Sequence, residues 1–207
     1  MRTITISEAL KELKLYDSKI VKALEVKFVG SRKKSADKVG VTSLANFEDR
    51  AKSGYQSVTD LINNRKAIKA AIVQSNATTK VDIGGKTYTV AEAIEHKSSI
   101  EYERMLLNTL KRQWADVTDN ITRENVRVDN QVDKMLEAFV GKDSDKKVSE
   151  ADLAAISEPY RAKNEWVIVD PLDLYKKIQS LEAEIDAFEA EVDVKLTISN
   201  SITYIEV

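Results

Sequence analysis

LYKKIQSLEAEIDAFEAEV, residues 174–192, decides the architecture of this chain. Leu174, Ile178, Leu181, Ile185, Phe188 and Val192 recur at spacings of 4, 3, 4, 3 and 4, with Lys, Gln, Glu and Asp filling much of the space between. Apolar side chains in that rhythm stay on one face of an α-helix, so the stretch is a heptad seam that must pack against another long helix. Asp170-Pro171 is its start signal, because the carboxylate accepts from free N–H groups and proline lacks the N–H that a first turn leaves unused. A helix is therefore expected over 171–195. Behind it, TISNSITYIEV (197–207) is β-branched and apolar to the last residue. Such a tail is expected to pair as a strand, within the fold or with a neighbour, through Ile202, Tyr204 and Ile205. Its candidate internal partners are residues 26–29, 81–89 and 166–169.

Working backwards, 166–169 (WVIV) reads as a short strand, with Trp166 a candidate contact for a partner. Ser149 followed by Asp152 caps a short helix toward Tyr160, and 141–147 is a polar loop. From Val90 to Val140 there is neither proline nor glycine. Leu107, Leu110, Trp114, Val117 and Ile121 form one stretch of seam there, and Val128, Val132, Met135 and Phe139 form another. Unbroken, that helix would span ~75 Å. Just before it, Gly84-Gly85 between β-prone residues predicts a hairpin over 80–89. Thr89 and Glu92 then form a capping box for the long helix.

The N-terminal half contributes two more helices. One is expected over 7–25, capped by Ser7, with Ala9, Leu13, Tyr16, Ile20 and Ala23 inward. The other is expected over 43–74, with Leu44, Phe47, Ala51, Val58, Leu61, Ile68 and Ile72 on the 3-4 lattice and Gly54 and Arg65 as imperfections. Residues 26–29 could be a strand or a helix end, closed by Gly30, and 31–40 reads as a polar connection. The expected fold is mainly α: a single elongated domain, 1–207, of antiparallel helical bundle or coiled-coil hairpins with a small β-ribbon, a C-terminal β-strand and a loop and insertion over 141–170.

Composition narrows the function classes. Of 207 residues, 43% are hydrophobic and 32% charged, with only six glycines and two prolines, a balance that favours long helices with wet outer faces over a loop-rich enzyme framework. Lys plus Arg number 32 against 34 Asp plus Glu, for a net charge of -2, so no global field attracts nucleic acid or an acidic membrane. Cysteine is absent, which rules out disulfides and thiolate metal sites. The first seven residues lack the apolar core of a signal peptide, and no stretch approaches the ~20 apolar residues of a membrane span.

Candidate chemistry is sparse. His96 is the only histidine, so metal ligation would rest on carboxylates, and it reads as an ordinary helix histidine. Arg32, Lys33, Lys34 and Lys38 form the densest basic run. They lack the Lys-Ser/Thr ending of a phosphate loop and offer at most a contact for nucleic acid or an acidic surface. Asp143 and Asp145 suggest calcium, but Lys147 and Ala154 occupy positions where that motif needs oxygen ligands. Glu101, Glu103, Asp116, Asp119 and Glu124 do not repeat the Glu-x-x-His signature of di-iron bundles and read as an outer helix face.

The order of elements resembles the septicolysin-like group of small bacterial and phage-borne helical proteins. The similar features are the SEALK start (7–11), a long second helix ending near Asn76, the Gly84-Gly85 ribbon leading into TVAEAI (89–94), and a heptad helix with a β-prone tail. Residues 143–169 are an insertion relative to that pattern. The resemblance implies a helical fold and brings no established catalytic residues to carry over. The long helices and ordered tail also resemble small structural proteins of tailed-phage virions. The expectation is a non-enzymatic assembly protein without a cofactor or membrane contact, partnered by its own copies or neighbouring structural proteins. It would be located in a virion if phage-encoded and in the cytoplasm otherwise. The alternative is a binding module that holds nucleic acid or protein through residues 31–38 and the outer helix faces.

Overall fold

Hydroxyl and carboxylate side chains at element boundaries set the local structure. The computed structural model describes residues 2–142 and 149–207, and it is 75% helical. In order, the described elements are β1 (Thr3–Thr5), α1 (Ile6–Ala23), β2 (Lys38–Val39), β3 (Thr42–Ser43), α2 (Leu44–Thr78), β4 (Lys80–Ile83), β5 (Lys86–Thr89), α3 (Val90–Lys142), α4 (Glu150–Asn164), α5 (Leu174–Ile202) and β6 (Tyr204–Glu206). The fold is mainly α, with antiparallel two-stranded sheets β1–β6, β2–β3 and β4–β5. The residues group into two compact units, Met1–Ser99 with Ala187–Val207, and Ile100–Asp186.

In the first unit the two ends of the chain are joined. β1 pairs antiparallel with β6, Ile4 opposite Ile205. The Arg2 and Val207 backbones exchange hydrogen bonds, and the Ile6 N–H donates to the Thr203 carbonyl at 3.0 Å, satisfying an orphan donor of α1. This register turns Ile205 inward. It is buried with Ile6, Ala9, Leu13, Ile68 and Ile72, where α1 packs on α2. Full burial of one such aliphatic side chain is worth about 1.5–3 kcal/mol. The Arg2–Glu12 and Asp17–Arg65 ion pairs flank the core.

The Gly84-Gly85 hairpin is present, with Val81 opposite Tyr88 and positive φ at both glycines (57° and 76°), as its turn requires. It is anchored twice. The Val90 N–H donates to the Thr79 carbonyl at 2.8 Å, and the Gly84 N–H donates to the Glu191 carboxylate of α5 at 3.1 Å. The Thr89–Glu92 capping box closes as expected: the Thr89 N–H donates to Glu92 Oε2 at 2.7 Å and the Glu92 N–H to Thr89 Oγ1 at 3.1 Å.

In the second unit, α3 and α5 run antiparallel through the Lys111–Glu182 ion pair and the tilted Trp114–Tyr175 stack. Ser149 and Asp152 form the α4 capping box, and Arg161 ties α4 to Asp129 of α3. Leu107, Val128, Val132, Ile178 and Ile185 are buried.

Several expectations need correction. Residues 166–169 are not a strand: the Asn125 side chain takes the place of one, accepting from the Trp166 N–H at 2.8 Å and donating to its carbonyl at 3.0 Å. The tail is a strand only at Tyr204–Glu206, and its partner is β1, none of the three considered. Residues 197–202 are the last turns of α5. There Thr197 and Ser201 donate their hydroxyls to the carbonyls of Asp193 and Thr197, so these residue types fit the helix. The helix also starts later than Pro171. Asp170 accepts from the N–H groups of Leu172 and Leu174, making a turn that ends at Asp173 with φ 54°. The α1 cap is Thr5 with Glu8, not Ser7. Residues 26–29 form no strand, while 31–40, expected to be irregular, contains β2 of a small hairpin turning at Gly40. Val117 and Phe139 lie exposed despite their seam positions, and Trp114 is only half-buried. Asp143 and Asp145 fall outside the described residues.

Candidate interaction surfaces

Each unit leaves apolar side chains in solvent. In the first, residues 26–31 run from the end of α1 past the β2–β3 hairpin and the start of α2. Two glycines permit the close approach. A Cβ at Gly54 would lie 2.8 Å from Val26 Cγ1, and one at Gly30 would lie 2.5 Å from Val39 Cγ1 and 3.0 Å from the Phe47 ring. Gly54 is thus a packing position rather than a flaw in the helix. Phe28 meets Tyr55 edge to face at 6.4 Å. What results is an open groove of 1120 Å³, lined by Val26, Val29, Val39, Val41 and Phe47 together with the cations Lys27 and Arg50. Val29 and Val41 are 85% and 99% exposed.

The basic run divides beside this groove. Arg32 folds back on its own loop, donating to the carbonyls of Lys33, Lys34 and Ala36, with the last contact at 2.7 Å. It holds the loop together and is spent structurally. Lys33, Lys34 and Lys38 stay exposed. From residue 26 to residue 57 there are seven cationic side chains against three carboxylates, so this part of a nearly neutral chain is locally positive.

In the second unit the corresponding feature is WVIV, 166–169. Held at Trp166 by Asn125, it leaves Trp166, Val167, Ile168 and Val169 at 50%, 73%, 43% and 87% exposure. Leu172 and Tyr175 continue the exposed apolar run. Glu165 and Asp170 bracket the four residues with negative charge.

The heptad seam is distributed differently. Ile178, Ile185, Phe188 and Val192 are buried within the chain, and Leu174 and Leu181 are half-buried. Of the tail, Ile205 is buried while Ile202 and Tyr204 are exposed. His96 lies in an aromatic group, with ring centres 4.2 Å from Phe188 and 5.6 Å from Tyr88. Among the described residues, no three His, Asp or Glu side chains gather in a way that could hold a metal ion. No described helix is long and apolar enough to cross a membrane. The perturbed carboxyls belong to caps. Hydrogen bonds from the Thr89 and Thr5 backbones hold Glu92 and Glu8 below the usual carboxylate range.

Comparison with protein families, curated proteins and solved structures gives no match to this chain. The groove was not anticipated from sequence. Its available signals were Gly30 and Gly54, whose role depends on which segment crosses the helix, and valines placed on both sides of Gly40.

Proposed function

We propose that this chain is a non-catalytic structural or assembly protein that associates with its own copies or with neighbouring structural proteins. One observation carries the reading: each unit holds a contiguous set of large apolar side chains in water, at the Val29–Val41 groove and at residues 166–169. Scattered exposed apolar residues are ordinary, whereas contiguous runs around an anchored tryptophan mark protein contacts. The outer edges of the β1–β6 ribbon offer further docking through backbone groups. The seam residues Ile178, Ile185, Phe188 and Val192 support folding in this reading, so the exposed Trp166, Ile202 and Tyr204 take over as contacts. A septicolysin-like relationship and a place in a phage particle both accord with such a protein. Sedimentation velocity across the micromolar range tests it: the mass should rise with concentration. A strict monomer that captures no neighbouring structural protein would end the proposal.

A second reading, a module binding nucleic acid through residues 31–38, is favoured by the local excess of cations around Lys33, Lys34 and Lys38. It predicts binding that weakens steeply with salt. Because Arg32 is committed to its own loop, Arg32→Ala should disturb that loop, while Lys33→Ala and Lys34→Ala should lower binding directly.

A further inference from the structure

We infer that residues 166–169 of one copy occupy the groove between residues 26–31, the β2–β3 hairpin and α2 of a second copy. The inference deepens the assembly reading and rests on it. Two properties match. The groove is lined by Val26, Val29, Val39, Val41 and Phe47 among serine and threonine hydroxyls, and the charged groups lining it are cations, Lys27 and Arg50. The segment is apolar over four consecutive residues and bracketed by Glu165 and Asp170. Docking places the apolar run against the exposed valines and Phe47 and the carboxylates beside the cations, so the charges are complementary.

Size agrees with this occupant. At 1120 Å³ the groove exceeds the ~300–1,000 Å³ usual for small-molecule sites. An aromatic anchor with three β-branched side chains suits such an opening. Asn125 holds both backbone groups of Trp166, so less chain entropy is lost on docking than for a free loop. Groove and segment are different surfaces of one chain, so the contact is heterologous and each added copy brings a fresh groove and a fresh segment.

The absence of cysteine permits a direct test. Val41→Cys and Val167→Cys lie at highly exposed positions, where substitution leaves folding intact. The two purified variants are mixed and oxidised, with circular dichroism as the check on fold. The expected product is the 41–167 mixed disulfide, enriched over both like-with-like dimers; a purely statistical distribution would overturn the docking. In parallel, Arg50→Glu should weaken self-association roughly tenfold or more, and adding Glu165→Arg to the same chain should restore it. If wild-type chains associate while the mixed disulfide is not enriched and the charge exchange has no effect, this contact is wrong and the assembly reading survives. If wild-type chains remain monomeric, this contact is wrong, and the assembly reading falls with it only when no neighbouring structural protein is captured either.

Discussion

Tyr204–Glu206 and residues 166–169 carry the same kind of sequence and meet opposite fates. Both follow a helix, both mix an aromatic with β-branched residues, and both read as strands. The first pairs with Thr3–Thr5 and turns Ile205 into the core between α1 and α2. The second is pinned at one residue by an asparagine and leaves Val167 and Val169 largely in water and Trp166 and Ile168 about half exposed. β-Propensity describes a fit to a half-buried surface, and a strand forms only where another backbone is free to complete the ladder. The chain spends its N-terminal strand on the tail and has no partner strand for 166–169 among the described residues.

Truncation should separate the two regions most sharply. Ile205→Ala is expected to cost about 2–5 kcal/mol in chemical denaturation, since it removes buried methyl groups from a packed cluster. Ile168→Ala, at 43% exposure, should cost about 1 kcal/mol or less, because only part of the side chain is covered. Equal costs would break the comparison.

The glycine hairpin sharpens the same contrast at the next scale. Gly85→Val should cost about 1–2 kcal/mol from its left-handed conformation alone, because nothing lies within 4 Å of the added Cβ. Gly84→Val should cost more, because its Cβ would also meet the α5 backbone at 3.2 Å from the Phe188 nitrogen. A larger loss at Gly85 would show that the hairpin does not rest on α5.

Capping effects come next. Thr89→Ala should destabilise α3 by about 1 kcal/mol in thermal or urea unfolding. The Glu92 carboxyl is held below its ordinary value, chiefly by the Thr89 N–H, so its contribution is complete above the unfolded carboxylate range. It fades as pH falls through the lowered folded value. An acid titration of stability should therefore be shallower for Glu92→Gln than for the wild type. Parallel curves would count against the capping box. The smallest effect on folding belongs to Val167→Ser with Val169→Ser, expected within about 0.5 kcal/mol of wild type. That pair should nevertheless lose self-association by sedimentation.

Much of the fold was legible because its signals are local. Ser43, Thr89 with Glu92, and Ser149 with Asp152 each start a helix where their side chains reach, and two glycines in series have few uses other than a tight turn. The burial of Ile178, Ile185, Phe188 and Val192 was legible for the same reason, since 3.5-residue periodicity is a property of one helix. The β1–β6 pairing was not. It joins the two ends of the chain, and no local property of Ile4 names Ile205 as its neighbour. The groove was hidden likewise, because Gly54 reads as a helix flaw until Val26 is seen against it. Trp166 was singled out for partner contact on residue type, but the Asn125 side chain that replaces its ladder lies 41 residues away.

Amide hydrogen exchange measured at several protein concentrations tests the central contrast most directly. Ile205 should exchange slowly at every concentration, because its strand is paired within the chain. Val167, Ile168 and Val169 should exchange fast in dilute solution and slow as copies associate. Fast exchange at these three amides at all concentrations, in chains shown by sedimentation to be associated, would contradict the claim that this segment is an assembly surface.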